Sequence, residues 1–201
     1  MTAALPTFRV QPGVSLAQAE PWQFAPVTLA SPAIEVMTDL TRFKAATTQP
    51  ETSLLQAEQI MIYQGVRMLF VVTDMPALAG LITTTDLRGE RQMRLVHERN
   101  VHYDELTVAD VMTPIGQIDA VDFSRMGIAT VGDAIDALKR FGRNHLLVVD
   151  SSGGGSSIGA AQPQQRVRGV ISRSQIERQL GMLIDTAPIA ESFADIERAL
   201  A

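Results

Sequence analysis

Two unbroken apolar runs, Met68–Val72 and Leu146–Val149, each follow a stretch with helical periodicity. The runs are too short for buried helices and fit inner strands of a sheet. Before the first run, Leu54, Ala57 and Met61 fall on one helical face. Ser53 and Gln56 make an S-x-x-Q capping box at its start, and Gly65 is positioned to stop it. Before the second run, Thr130 and Asp133 repeat the capping pattern. Val131, Ala134, Ile135, Leu138 and Phe141 then keep helical spacing up to Gly142. Second strands are predicted at Ala79–Thr83 and Val167–Ser172, with helices from about Asp86 to Arg99 and from Ser174 to Leu183.

The pattern is a repetition. Glu35-Val36-Met37-Thr38 returns as Asp110-Val111-Met112-Thr113, and the segment from Gly65 to Val72 returns as Gly142 to Val149. Gly80-Leu81-Ile82-Thr83-Thr84-Thr85 returns as Gly169-Val170-Ile171-Ser172-Arg173-Ser174. The blocks keep their order at offsets of 75, 77 and 89, the last widened by a longer loop in the second copy. The chain therefore divides into an arm (1–32), a first repeat with its linker (33–104), a second repeat (105–185) and a terminal segment (186–201). Each repeat reads strand–helix–strand–strand–helix, an α+β arrangement. A unit this small buries little by itself, which favours packing one copy on the other.

Composition narrows the picture further. The chain has 201 residues, a net charge of −5 and a pI near 5.2. This balance argues against a general nucleic-acid binder. Cysteine is absent, which excludes disulfides and thiolate chemistry and fits a reducing, cytoplasmic setting. No leader pattern opens the sequence and no apolar run reaches membrane-spanning length. Five prolines in residues 1–32 disfavour a long helix there. Phe8-Arg9-Val10 reads as a short strand, and Trp22 and Phe24 as anchors for the arm. The glycine–serine stretch from Ser151, within a loop over 151–166, reads as a flexible tip rather than a phosphate cradle. Ser192 and Asp195, with Phe193, Ile196 and Leu200 on one face, predict a short terminal helix.

The duplicated V-M-T start, the capped helix ending in glycine, the V-V strand and the Gly80-to-Asp86 ending resemble paired CBS (cystathionine-β-synthase) domains, a Bateman module. The resemblance covers about residues 33–185 and implies a pseudo-two-fold module with two clefts between the repeats. It further implies a non-enzymatic sensor for AMP, ADP, ATP or S-adenosylmethionine, commonly a homodimer, with no required cofactor and an unidentified regulated protein as partner.

Carried over position by position, the resemblance marks Thr83, Thr85 and Asp86 for phosphate and ribose. A carboxylate accepts from ribose hydroxyls, threonine hydroxyls donate to phosphate, and a helix N-terminus adds positive potential. The competing reading is that Thr85 or Asp86 simply caps the helix, and the two roles are compatible. The second copy keeps hydroxyls at Ser172 and Ser174 but carries Gln175 where the acid belongs, so two unequal sites are expected. Arg67, Asn144 and His145 precede or open the apolar strands, where basic residues face phosphates. Arg42, Lys44, Arg143 and Arg173 are further cations, and Thr47 and Thr48 fall in the region that borders adenine. His97 and His102 are spaced for a polar linker rather than a metal site. The alternative to a ligand sensor is a dimerisation or docking module that binds no small molecule.

Overall fold

The computed structural model describes residues 8–9, 11–15, 24–151 and 165–184. The terminal helix expected around Phe193 lies outside them, as do Trp22, Val10 and most of the glycine–serine loop. Phe8 and Arg9 are not in a strand, and Phe8 is exposed.

Local signals set the helices. Ser53 and Gln56 form the expected capping box on α1 (Leu54–Gln64), and Gly65 closes it at φ +65°, a left-handed conformation that glycine reaches without a steric cost. Thr130 and Asp133 cap α5 (Val131–Arg140) in the same way, with Gly142 at φ +57° just beyond. The helix expected from Asp86 to Arg99 is two helices, α2 (Thr84–Arg88) and α3 (Glu90–Arg99). Gly89 is extended between them, and the buried Gln92 amide donates to the Asp86 carbonyl left open at the break. A short α4 (Val108–Val111) opens the second repeat, and α6 (Arg173–Leu180) starts one residue earlier than predicted.

Among the described residues, eight strands make two four-stranded sheets. One has the order β2 (Thr47–Thr48), β3 (Met68–Val72), β4 (Leu78–Thr83) and β5 (Thr113–Pro114). The other has β1 (Met37–Asp39), β8 (Arg166–Ser172), β7 (His145–Asp150) and β6 (Ala120–Asp122). The V-M-T strand of each copy joins the sheet of the other: β1 pairs antiparallel with β8, and β5 with β4. This exchange is symmetric. The bridges Pro32–Thr130 and Ser53–Thr107 link equivalent residues in opposite directions, through the same offsets of 75 and 77.

Exchange distributes the core accordingly. Ala33, Val36 and Met37 from the first copy pack with Val131, Leu138, Ile171 and Ile176 of the second. Leu106, Val108 and Val111 pack with Leu54, Met61, Leu69 and Ile82 of the first. A third cluster, Met68, Phe70, Leu81, Leu147 and Val170, fills the seam between the sheets. Part of the arm is docked as well: Val27 is buried, its N–H donates to the Gln179 carbonyl at 3.1 Å, and the Phe24 ring lies 6.4 Å from that of Phe43.

Candidate functional site

The seam opens into two adjoining clefts, and the strand ends set their walls. Met68 pairs with Thr83 and His145 with Ser172, so each inner strand begins beside the residue that caps the following helix. Backbone bonds fix these corners: Thr84 N–H donates to the Arg67 carbonyl at 3.0 Å, and Arg173 N–H to the Asn144 carbonyl at 2.9 Å.

The first cleft, about 670 Å³ including its open mouth, is floored by Leu81 and Leu146. Thr83, Thr85 and Asp86 line it from the first copy; Ile118, Asp119, Arg143, Asn144 and His145 line it from the second. The second cleft, about 640 Å³, straddles the pseudo-two-fold axis. Its equivalent pairs are Arg67 with Asn144, Thr84 with Arg173 and Thr85 with Ser174; His145 and Glu177 complete it.

Asp86 is a cap and a cleft residue at once. Thr83, not Thr85 or Asp86, is the N-cap of α2. Its N–H and hydroxyl donate to Asp86 Oδ2 at 2.8 and 2.7 Å, and Asp86 N–H donates back to Thr83 Oγ1 at 3.3 Å. Among the described residues Asp86 Oδ1 makes no hydrogen bond, so one carboxylate oxygen holds the helix while the other stays open.

His145 borders both clefts, half-buried, with Nδ1 enclosed and unpartnered. Burial, then the nearby Arg67 charge, pushes its pKa down to about 4, so the ring is neutral at pH 7. Glu177 is held the other way. Burial raises its pKa, but the Ile184 N–H and the Arg173 guanidinium outweigh that and leave it lowered.

The second copy's positions behave differently. Ser172 caps α6 by accepting from Gln175 N–H at 3.2 Å, and Ser174 reaches the axial cleft. Gln175 does not line either cleft. Its side chain is buried and donates to Gln179 Oε1 at 2.9 Å; Gln179 in turn donates to the carbonyls of Ala25 and Glu35. Thr47 and Thr48 are also elsewhere. They form β2, paired with Phe70 and Val71, and Thr48 is buried. Because the repeats face each other, the wall opposite Asp86 comes from the segment before β6, which supplies Ile118 and Asp119. Those two, with Thr113 and Glu177, were not singled out by sequence. Thr113 reaches its cleft through the exchanged strand β5, and Ile118 and Asp119 follow it in the chain, whereas Glu177 lies one turn along α6 from Arg173. Among the described residues there is no cluster of three or more metal-ligating side chains, and no helix long and apolar enough to cross a membrane.

The CBS domain family profile matches residues 33–92. No curated protein matches the chain. Among solved structures, an uncharacterised conserved protein from Pyrococcus horikoshii shares 19% identity at a TM-score of 0.53, covering 80% of this chain and all of its own. CBSX2 in complex with AMP is similar at 21% identity and a TM-score of 0.49, over 74% of this chain and 94% of its own. The CBS domain pair of protein MJ0100, with 5′-methylthioadenosine and S-adenosyl-L-methionine, gives 17% and 0.49, over 76% and 97%. The fold is thus a mixed α+β fold of the CBS-pair kind. Within it, residues 33–92 are the part that matches the CBS domain family.

Proposed function

We propose that the chain is a regulatory module that binds an adenosine-containing ligand, AMP, ADP, ATP or S-adenosylmethionine, in the cleft beside Asp86. The observation that carries this reading is the meeting of Thr83, Thr85 and Asp86 from one copy with Arg143, Asn144 and His145 from the other in a single cleft. The open Oδ1 of Asp86 accepts from ribose hydroxyls. The apolar floor at Leu81 and Leu146 suits a base, and the axial cleft, with Arg67 and the hydroxyls of Thr84 and Thr85, takes the phosphates. A ligand held by both copies interacts differently with each relative placement of them, which is the requirement for shifting a conformational equilibrium. The output is a change in shape or in association with a second copy or a regulated protein in the cytoplasm. The module is a sensor rather than a catalyst.

The test is thermal denaturation with AMP, ADP, ATP and S-adenosylmethionine. At a ligand concentration 100 times Kd the gain is about 2.7 kcal/mol. Asp86→Asn is the informative variant, because Asp86→Ala also removes the acceptor of the Thr83 N–H and hydroxyl in the α2 capping box, at a cost of about 1 kcal/mol. Binding weakened by roughly tenfold or more in Asp86→Asn, with the melting temperature of the empty protein nearly kept, is expected. If none of the four compounds at millimolar concentration alters stability, the reading fails. The inward turn of Gln175 favours a second reading, an interaction module without ligand, and the same titration separates the two.

A further inference from the structure

The axial cleft has one carboxylate among the residues that line it, Glu177. The first copy offers no counterpart. At the offset of 89 the equivalent residue is Arg88, an exposed side chain that pairs with Glu58 at 3.0 Å. Glu177 is tied on two sides through a single oxygen. Its Oε1 accepts from Arg173 Nε at 2.8 Å and from the Ile184 N–H at 3.0 Å. The Ile184 side chain is buried in the core of the second copy, so the carboxylate is anchored to the core as well as to its own helix. Burial opposes its charge, but the Ile184 N–H and the Arg173 guanidinium outweigh that, and Glu177 is ionised at pH 7.

Charge in the axial cleft can then be counted. Arg67 and Arg173 are cationic, Glu177 is anionic and the His145 ring is neutral at pH 7. The Arg173–Glu177 pair cancels, which leaves the positive charge of Arg67. Thr85, Asn144 and His145 line both clefts, so a ligand with its ribose at Asp86 passes over them to reach Arg67 and the Thr84 hydroxyl. One phosphate monoester, about −1.5 to −2 at pH 7, is matched there. Further phosphoryl groups bring more negative charge and continue toward the side where Arg173 is already engaged and a fixed carboxylate faces the cleft. We infer that Glu177 is a specificity-determining residue: by holding Arg173 and setting a like charge where a second phosphate would lie, it selects AMP over ADP and ATP. This rests on the adenosine reading of the Asp86 cleft. Rejection by a built-in repulsive group separates ligands that share every other contact. An i, i+4 ion pair that served only to stabilise α6 would have no bearing on this choice.

The experiment is isothermal titration of the full chain with AMP, ADP and ATP, without divalent cations, which would screen the added charge. In the wild type ADP and ATP are expected to bind more weakly than AMP by roughly tenfold or more. Glu177→Gln keeps an acceptor oxygen for the Ile184 N–H and releases Arg173. It is expected to tighten ATP by roughly tenfold or more, while AMP changes by less than about threefold. A wild type that binds ATP as tightly as AMP overturns the proposal, and that comparison needs no variant, so it decides the matter even if Glu177→Gln folds poorly. An unchanged ratio of ATP to AMP affinity in a folded Glu177→Gln overturns it too, and reduces the pair to a helix stabiliser. In both cases AMP still binds and the adenosine reading stands. Absence of binding by all three nucleotides overturns the selectivity proposal together with the nucleotide part of that reading.

Discussion

His145 borders both clefts with a neutral ring, and that state has a measurable consequence. Its folded pKa, about 4, lies below the unfolded value of about 6.5. The unfolded chain therefore takes up this proton first as pH falls. His145 contributes nothing to pH dependence above about 6.5, and stability is lost between about 6.5 and 4. His145→Asn is expected to flatten that part of the profile in urea denaturation at a series of pH values; an unchanged slope would assign it to other groups. Asp39 behaves in the opposite sense. Arg168 donates to it through Nε and a terminal nitrogen at 3.0 and 2.9 Å, and the guanidinium lies 4.7 Å from the centre of the Phe123 ring. Those bonds, joined by the N–H and hydroxyl of Thr41, hold the Asp39 carboxyl well below the usual carboxylate range. Its contribution is complete above about pH 4 and fades as pH falls further. Asp39→Asn is expected to cost about 1–2 kcal/mol at pH 7, with the gap to wild type closing in acid. A gap independent of pH would show that the charge of Asp39 is not the source.

The exchanged strands explain why the two G-h-h-T/S segments begin with glycine. A Cβ on Gly80 would overlap the Thr113 carbonyl oxygen of β5, and one on Gly169 would meet Met37 Sδ at 2.6 Å and the Thr38 carbonyl at 2.9 Å in β1. Both glycines are thus the places where the other copy's first strand crosses closely. Gly80→Ala is expected to cost about 1–3 kcal/mol. Gly169→Ala is expected to cost less, because the methionine side chain it meets first can shift; a reversed order in denaturant midpoints would contradict this account. The same crossing marks the limit of what the sequence makes legible. Caps such as Ser53–Gln56 and Thr130–Asp133, the glycine stops and the inner strands are local patterns, and they occur where the pattern places them. Strands β2 and β6, two and three residues long, carry too little periodicity to be recognised. Which sheet β1 and β5 would join depends on contacts between residues far apart in sequence. That is why Ile118 and Asp119, which hold the place across the cleft from Asp86, are not legible in the local pattern. Gly89, a glycine in an otherwise helical run, was the one visible sign that the helix after Asp86 is broken.

Across the whole molecule, the pseudo-two-fold axis relates two corners whose chemistry has diverged. Where one cleft has Asp86, Asp119, Arg143 and His145, the equivalent positions hold Gln175, Ala46, Val66 and Met68. Met68 belongs to the seam core, and Gln175 is tied through Gln179 to the carbonyls of Ala25 and Glu35, where the arm and the start of the first repeat rest on α6. The second corner has become an anchor. If the Asp86 cleft takes an adenosine ligand, isothermal titration should give one equivalent per chain, not two. Gln175→Asp should not add a second. It places an acid in a buried position whose present partner, Gln179 Oε1, is an acceptor, so it is expected to lower stability through an unpaired charge or a raised pKa while the stoichiometry stays at one. Two equivalents in the wild type, or a second one gained in Gln175→Asp, would mean that this corner still opens. The anchor assigned to Gln175 and Gln179 would then have to yield when ligand arrives.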